Sequence, residues 1–272
     1  MPMLSVIIPM YNEADRIGAT VADVCATLRS WGTTAEVLLV DDGSTDATVD
    51  AAEPLCGDHG DALTLRLIRH GVNQGKGAAV RTGMRAARGG WVVFMDADNS
   101  TRLAELEKLN AEARATGAPI IIASRSVAGA EALTTPARRA AGRAFRACLT
   151  LLGLDLARDT QCGFKLYRGD AAAFMAAHAI EDGFAFDVEH LLLARRAGLA
   201  VREVGVRWDH RTGGSIRVVR HGLQMLWAAV RIRHRVRRMS LTRPSRATPG
   251  PLLVEVKPLQ IAPSERDTVA AS

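Results

Sequence analysis

The stretch Trp91-Val92-Val93-Phe94-Met95-Asp96-Ala97-Asp98 decides the fold. Its apolar half, β-branched and aromatic, is too short for a helix and reads as a buried strand. Two carboxylates one residue apart follow at once. Alternation along a strand lets such a pair set hard oxygen ligands on an exposed loop at the strand end. Mg²⁺ or Mn²⁺ suits that arrangement, because these ions bind few carboxylates and keep positions open for substrate phosphates. Taken alone, Asp-x-Asp is equally a turn with solvated acids, so its neighbours must decide.

Working outward, short β-branched runs recur at 4–8, 36–40, 63–68 and 120–123. Helix-like segments fill the gaps at 15–31, 45–55, 76–88 and 103–116. This alternation predicts an α/β fold, a mostly parallel central sheet flanked by helices on both faces. Ligands of such sheets bind beyond the carboxyl ends of the strands. The loops expected to carry chemistry are therefore Pro9-Met10-Tyr11-Asn12-Glu13, Asp41-Asp42-Gly43-Ser44, 69–76, 96–99 and Ser124-Arg125. All are polar or glycine-rich.

Composition agrees. A chain of 272 residues, 48% hydrophobic and 4% aromatic, can bury a sizeable core, and its formal charge is +6. Cys25, Cys56, Cys148 and Cys162 show no CxxC and no His/Cys spacing, which argues against a disulfide framework or structural zinc. Reduced thiols and a cytoplasmic setting are expected. The apolar run at 4–9 is too short for a signal peptide, and no run approaches the roughly 20 residues of a membrane-spanning helix.

Val40-Asp41-Asp42-Gly43-Ser44-Thr45-Asp46 is the second strong signal. An Asp here can accept from a base N–H or a ribose hydroxyl, and Ser44 can cap the next helix. Turn and cap chemistry explains Gly43 and Ser44 but not the doubled acid. Gly71-Val72-Asn73-Gln74-Gly75-Lys76-Gly77 fails the Walker A spacing. It reads either as a plain helix start or as a glycine-rich start that receives an anion, with Lys76 and Arg81 assisting. Cys162, with no His close in sequence, reads as a buried thiol. Asp187 reads as a helix cap or a site acid.

The second half is less regular. Helices are predicted over 136–152, 186–197 and 216–238, and a strand over 200–208; 159–168 is compact and mixed. The last helix carries Arg217, Arg220, Arg231, Arg233, Arg235, Arg237 and Arg238 beside Leu223, Met225, Leu226, Trp227, Val230 and Ile232. A cationic skirt with an interfacial Trp suits the headgroup layer of an anionic membrane. A solvated surface helix is the plain alternative, and no RNA-binding or helix-turn-helix signature supports nucleic acid. Half of the ten prolines fall in 241–272, predicting a disordered tail. The expected organisation is a catalytic domain over 1–212, a basic membrane-surface helix over 213–239 and a tail over 240–272.

Together, Ser5-Val6-Ile7-Ile8-Pro9-Met10-Tyr11-Asn12-Glu13, Val40–Asp46, Asn73–Arg81, Phe94–Asp98, Ala123-Ser124-Arg125, Asp159–Lys165 and Phe186–Glu189 resemble a family 2 glycosyltransferase of the GT-A fold. The nearest branch makes polyprenyl-phosphate sugars, as dolichyl-phosphate glucose and mannose synthases do. The ordered set is specific and spans about residues 4–235.

The resemblance implies an inverting transferase. One hexose would move from UDP-glucose or GDP-mannose to a polyprenyl phosphate, with Mg²⁺ or Mn²⁺ as cofactor. By position, Pro9, Tyr11, Glu13 and Asp41 would line the nucleoside pocket, with Lys76, Arg81 and Ala97 near the nucleotide. Asp96 and Asp98 would hold the metal and diphosphate. Arg125 and Arg139 would face the acceptor phosphate, and Gln161, Lys165 and Asp187 the sugar and acceptor side. A hydroxyl acceptor would need a base, for which Asp187 is the candidate. Asp159-Thr160-Gln161-Cys162-Gly163-Phe164-Lys165 leans toward glucose. Processive relatives carry Gln-x-x-Arg-Trp, whereas Arg207-Trp208 here follows Val204, favouring a single transfer. Gly213-Gly214-Ser215-Ile216-Arg217 departs from the Ser-Lys-Val-like loop of relatives, and some relatives have C-terminal membrane helices. Membrane contact is accordingly expected at 216–238 and 137–152, peripherally, on the cytoplasmic face. The alternatives are a family 2 transferase with a hydroxyl-bearing acceptor, and a non-catalytic nucleotide-sugar-binding protein at the membrane.

Overall fold

Residues of each central strand alternate between two apolar cores, and that alternation stacks helices on both faces of one sheet. A computed structural model of the chain describes residues 2–60, 62–132, 136–209 and 218–244; the side chains of 132–141, 145 and 218–223 fall outside that description. Strand β1 (Leu4–Met10) sends Leu4, Val6, Ile8 and Met10 to one core and Ile7 to the other. The first core is closed by helix α1 (Ala14–Trp31) through Ile17, Val21, Val24 and Leu28. The second is closed by α3 (Lys76–Ala86), whose Val80 and Met84 meet Ile7, Leu38 and Phe94.

The remaining strands are β2 (Ala35–Asp41), β3 (Gly57–Asp58), β4 (Leu63–Arg69), β5 (Trp91–Met95), β6 (Ile120–Ser124), β7 (Glu131–Ala132), β8 (Phe164–Arg168), β9 (Val201–Gly205) and β10 (Arg207–Trp208). The other helices are α2 (Thr48–Ala52), α4 (Leu106–Thr116), α5 (Pro136–Leu151), α6 (Gly169–His178), α7 (Phe186–Arg196) and α8 (Val218–Arg238). The main sheet runs β3-β4-β2-β1-β5-β8-β6-β9, parallel except at β3 and β8. From β1 the chain proceeds outward through β2 to β4, then returns to place β5 on the other side of β1. That reversal opens a crevice at the carboxyl ends of β1 and β5, where an open α/β sheet binds its ligand.

The strands expected at 4–8, 36–40, 63–68, 91–95 and 120–123 are all present, longer by up to two residues at an end. The mixed stretch at 159–168 contains β8, which enters between β5 and β6 and pairs antiparallel to both. The strand expected over 200–208 breaks at Val206, so β9 extends the main sheet while β10 joins β7. Ser44 does not cap a helix. Helix α2 begins at Thr48, and the Ser44 hydroxyl instead accepts the Asn12 N–H at 3.0 Å.

Helix α8 also differs from a free amphipathic helix. Ala228, Ala229, Ile232 and Val236 are buried in the core, against a cluster that includes α7 residues, while Trp227 and Val230 stay 67% and 47% exposed. Residues 210–217 and 245–272, and with them Arg217 and nearly all of the expected tail, lie outside the described residues, as do the Arg220 and Leu223 side chains. Among the described residues no helix is long and apolar enough to cross a membrane.

Candidate active site

Three strand ends build the site. Loop 9–14 and loop 41–48 are laced together: Thr45 N–H donates to the Asn12 side-chain oxygen at 2.9 Å, and Glu13 N–H to Thr48 Oγ1 at 2.7 Å. Asn12 takes a left-handed backbone, φ 55°, to make that turn. The Asp41 carboxylate, nearly buried, accepts the Ser44 N–H at 3.2 Å. Pro9 is buried within β1, and Tyr11 stands 44% exposed beside the cleft.

At the end of β5, Asp96 lies against Lys76, with Nζ 2.5 Å from Oδ1. Asp98 accepts the Ser100 N–H at 2.9 Å, and the carbonyl of the buried Ala97 is held by Thr20 Oγ1 at 2.7 Å. Burial raises the Glu13 carboxyl above its ordinary range; Arg16 opposes this, and Asp98 and Asp96 add to it. Burial also works against the charge on Lys76, but Asp96, Asp187 and Asp98 outweigh it and hold the ammonium above the usual lysine range. The strand ends thus form one field of alternating charge.

Glycine makes the centre possible. A Cβ on Gly163 would fall 2.0 Å from Asp96 Oδ2, so only hydrogen lets the loop before β8 lie against that carboxylate. The antiparallel entry of β8 is what brings this loop to the carboxyl ends of its neighbours. There Lys165 and Asp187 form a fully buried ion pair, and Lys165 Nζ also donates to the Thr160 carbonyl at 2.9 Å. Burial lifts the Asp187 carboxyl above the ordinary aspartate range, against the pull of Lys165 and Lys76. Asp187 is no helix cap: α7 is capped at Ala185, and Asp187 sits inside its first turn. The Cys162 thiol is buried and pushed up to about 12, chiefly by desolvation, which leaves it unionised.

The remaining residues expected from sequence have the following surroundings. Arg125 forks onto Asp159 through Nε at 2.7 Å and Nη2 at 2.9 Å, and its guanidinium lies 5.5 Å from the Trp208 ring centroid. A small cavity of about 70 Å³ is lined in part by Arg125, Arg146, Arg158 and Gln161. Arg139 lies on α5, with its side chain outside the described residues. Arg81 pairs with Asp182 and donates to the Glu181 carbonyl at 3.4 Å.

The start of α3 does not hold itself open for an outside anion. Gln74 N–H and Gly75 N–H donate to Asp42 at 2.9 and 2.8 Å, while Gly77 N–H and Ala78 N–H donate to the Asp182 carbonyl at 2.7 and 3.2 Å. Asp42 and Asp159 were not singled out from sequence, although the doubled acid of Asp41-Asp42 and the Asp159–Lys165 segment contained the signal. Of residues 179–185, between α6 and α7, only Phe184 and Ala185 carry a signal in the sequence, as aromatic and small residues just ahead of a helix; the stretch borders an apolar groove of about 530 Å³ lined in part by Phe184, Met225, Trp227 and Ala228.

An acid pair at the crevice of an open α/β sheet, flanked by a basic residue and polar loops, is the arrangement expected of a family 2 glycosyltransferase, and the comparisons bear out that class. Residues 5–175 match the family model for glycosyl transferase family 2, and the chain belongs to that family. It is 38% identical to a dolichyl-phosphate beta-glucosyltransferase of Drosophila melanogaster over 236 residues, 82% of this chain and 72% of the relative. The enzyme of that name from Saccharomyces cerevisiae is 31% identical over 246 residues, 85% and 74% of the two chains. Among solved structures, glucosyl-3-phosphoglycerate synthase from Mycobacterium tuberculosis, in complex with Mn²⁺, UDP-glucose and phosphoglyceric acid, superposes with a TM-score of 0.65 at 19% identity, covering 86% of this chain and 80% of that one. Mannosyl-3-phosphoglycerate synthase from Rubrobacter xylanophilus gives 0.64 at 20%, covering 90% and 79%. These two likenesses establish the fold.

Proposed function

We propose that this glycosyltransferase moves one glucose from UDP-glucose to a polyprenyl phosphate of the dolichyl type, with inversion to a β-linked product. The observation that carries the reading is the 38% identity to a dolichyl-phosphate beta-glucosyltransferase across 82% of the chain, with Asp41, Asp96 and Asp98 all at the strand-end crevice. In this reading an acceptor phosphate oxygen attacks the anomeric carbon. The bond from that carbon to the nucleoside diphosphate breaks, and its electron pair leaves with the diphosphate. An anionic phosphate needs no general base, which accords with Asp187 being held by Lys165 rather than facing the crevice alone.

Asp41, Pro9, Tyr11 and Glu13 hold the nucleoside, and Lys76 meets the donor diphosphate. Asp96 and Asp98 fit a divalent ion: both are hard oxygen donors, and the Lys76 ammonium marks a cation position 2.5 Å from Asp96. Two protein carboxylates would leave coordination positions for diphosphate oxygens. When bound, Mg²⁺ or Mn²⁺ offsets the charge developing on the leaving diphosphate. Arg125, preset by Asp159 and sharing a small cavity with Gln161, guides the acceptor phosphate, a role that Arg139 also takes in this reading. Exposed Trp227, Val230 and Phe184, with the arginines of α8, rest on an anionic membrane surface, and the neighbouring groove gives the prenyl chain an apolar path.

The test is transfer from radiolabelled UDP-glucose or GDP-mannose to polyprenyl phosphate with Mn²⁺ or Mg²⁺, followed by organic extraction. The expected product is a mild-acid-labile glucolipid formed from UDP-glucose. Donor hydrolysis without labelled lipid would move the acceptor to another class. Flotation with anionic but not neutral vesicles, weakened by salt, is the matching result for the membrane surface.

A further inference from the structure

Away from the strand-end cluster, a dense set of ionic contacts lies under residues 179–185. Glu189 of α7 is wholly buried, yet its Oε2 accepts the N–H groups of Ile180 and Glu181 at 3.0 and 2.9 Å. Its other oxygen pairs with Arg235 of α8, which also donates to the His178 carbonyl at 3.2 Å. One turn earlier on α8, Arg231 donates to Glu181 at 3.0 Å. Helix α8 therefore holds this strap directly through Arg231 and indirectly through Arg235 and Glu189.

The strap in turn grips α3. The Asp182 carbonyl accepts from Gly77 and Ala78, and its carboxylate pairs with Arg81. There is no slack in the fit: a Cβ on Gly75 would lie 2.4 Å from the Asp182 carbonyl oxygen, and one on Gly77 2.3 Å from that of Glu181. Gly75 and Gly77 flank Lys76, whose ammonium meets Asp96. A continuous set of contacts thus runs from α8 through Glu189 and the strap to the first turn of α3.

A buried ion pair adds little stability, since well-packed apolar residues of like volume often do as well. It can instead fix register. We infer that Glu189 is a positioning residue for the donor site: it holds α8 and the strap in one register and thereby seats Lys76 against Asp96. The inference rests on the proposed reading in one respect, that Lys76 and Asp96 meet the donor diphosphate.

The experiment titrates UDP with Mn²⁺ into the full chain by calorimetry, alongside a thermal melt and transfer kinetics. Wild type is compared with Glu189→Gln, Arg235→Met, the double variant and Arg235→Lys. The expected result is about tenfold weaker UDP binding by each of the first two, per folded molecule, as for other groups that act through a ligand-holding residue. The double variant is expected to be no worse than either single one, and Arg235→Lys to recover part of the loss. Wild-type affinity in both single variants, with only their melting temperatures lowered, would overturn the inference and leave Glu189 as fold support. Should Glu189→Gln not fold, Arg235→Met decides alone, because Arg235 is partly exposed. A wild type that binds neither UDP nor GDP with Mn²⁺ defeats the proposed function itself, and this inference with it.

Discussion

Two acidic pairs end two parallel strands of one sheet, and the protein uses them differently. Asp42, 3% exposed, is saturated from within: His70 Nδ1, Gln74 N–H and Gly75 N–H all lie within 2.9 Å of its oxygens. Among the described residues Asp96 pairs with the Lys76 ammonium, and Asp98 accepts the Ser100 N–H. Both pairs have the same chemistry and the same place in the topology. What separates fold chemistry from ligand chemistry is the acceptor capacity that the surrounding backbone leaves over. A strand-end carboxylate is available to a ligand when its neighbours leave it acceptor capacity.

Exchanging the two roles is the most direct way to break that contrast. Asp98→Ala is expected to lower kcat/KM for transfer by about 10³-fold, on the scale of removing a group that stabilises transition-state charge, with a melting temperature near wild type. Asp42→Ala should do the reverse, costing about 3 kcal/mol of stability because two backbone N–H groups near the α3 start lose their acceptor. Denaturant melts and steady-state kinetics on the same preparations decide between them. If Asp42→Ala folds normally and is inactive, the division of labour is wrong.

Gly163→Ala sharpens the geometric side. The added methyl must displace Asp96 or the loop before β8, so kcat/KM should fall by about 10²-fold, the scale of an ångström-level misplacement. Wild-type kinetics would mean that the Asp96 position is not critical.

The smallest expected effect concerns pH. His190, buried between Tyr167 and Phe186, has its pKa lowered to about 3 by desolvation, with Lys165 and Arg81 adding to it. Its neutral form is the folded form. Unfolded chains take up this proton below about pH 6.5, so stability is complete above that value and falls as the pH drops toward 3. The slope from this group is at most about 1.4 kcal/mol per pH unit. Melts at pH 7.5 and 5.0 should differ more in wild type than in His190→Gln.

How much of this was legible in the sequence follows from the range of the forces involved. Parallel strands buried on both faces are written as near-continuous apolar runs, so β1, β2, β5 and β6 could be read directly. The five-residue strand β8 was obscured by Lys165 and Arg168, charged residues that propensity assigns to solvent. Lys165 is buried with Asp187, 22 residues along the chain, as its counter-charge and the Thr160 carbonyl as a second acceptor. The acids Asp41, Asp96 and Asp98 could be placed at strand ends because the strands before them are local apolar runs. The strap was not, because its meaning lies in contacts with α3 and α8 that no local pattern encodes. Helix α8 was read correctly as amphipathic, but periodicity cannot tell a membrane from a neighbouring helix as the partner of its apolar face.

The backward strand has a consequence for how the chain assembles during synthesis. Strands β1, β2, β4 and β5 are complete by residue 95 and can pair among themselves as the chain emerges. Strand β6 is joined to them in the sheet through β8, which begins forty residues after β6 ends. Until Phe164–Arg168 is made, β5 remains an unpaired edge and the Asp96 end has no opposing wall. A chain cut short before Phe164 would leave that edge of β5 without its neighbour, the kind of open strand border at which aggregation begins.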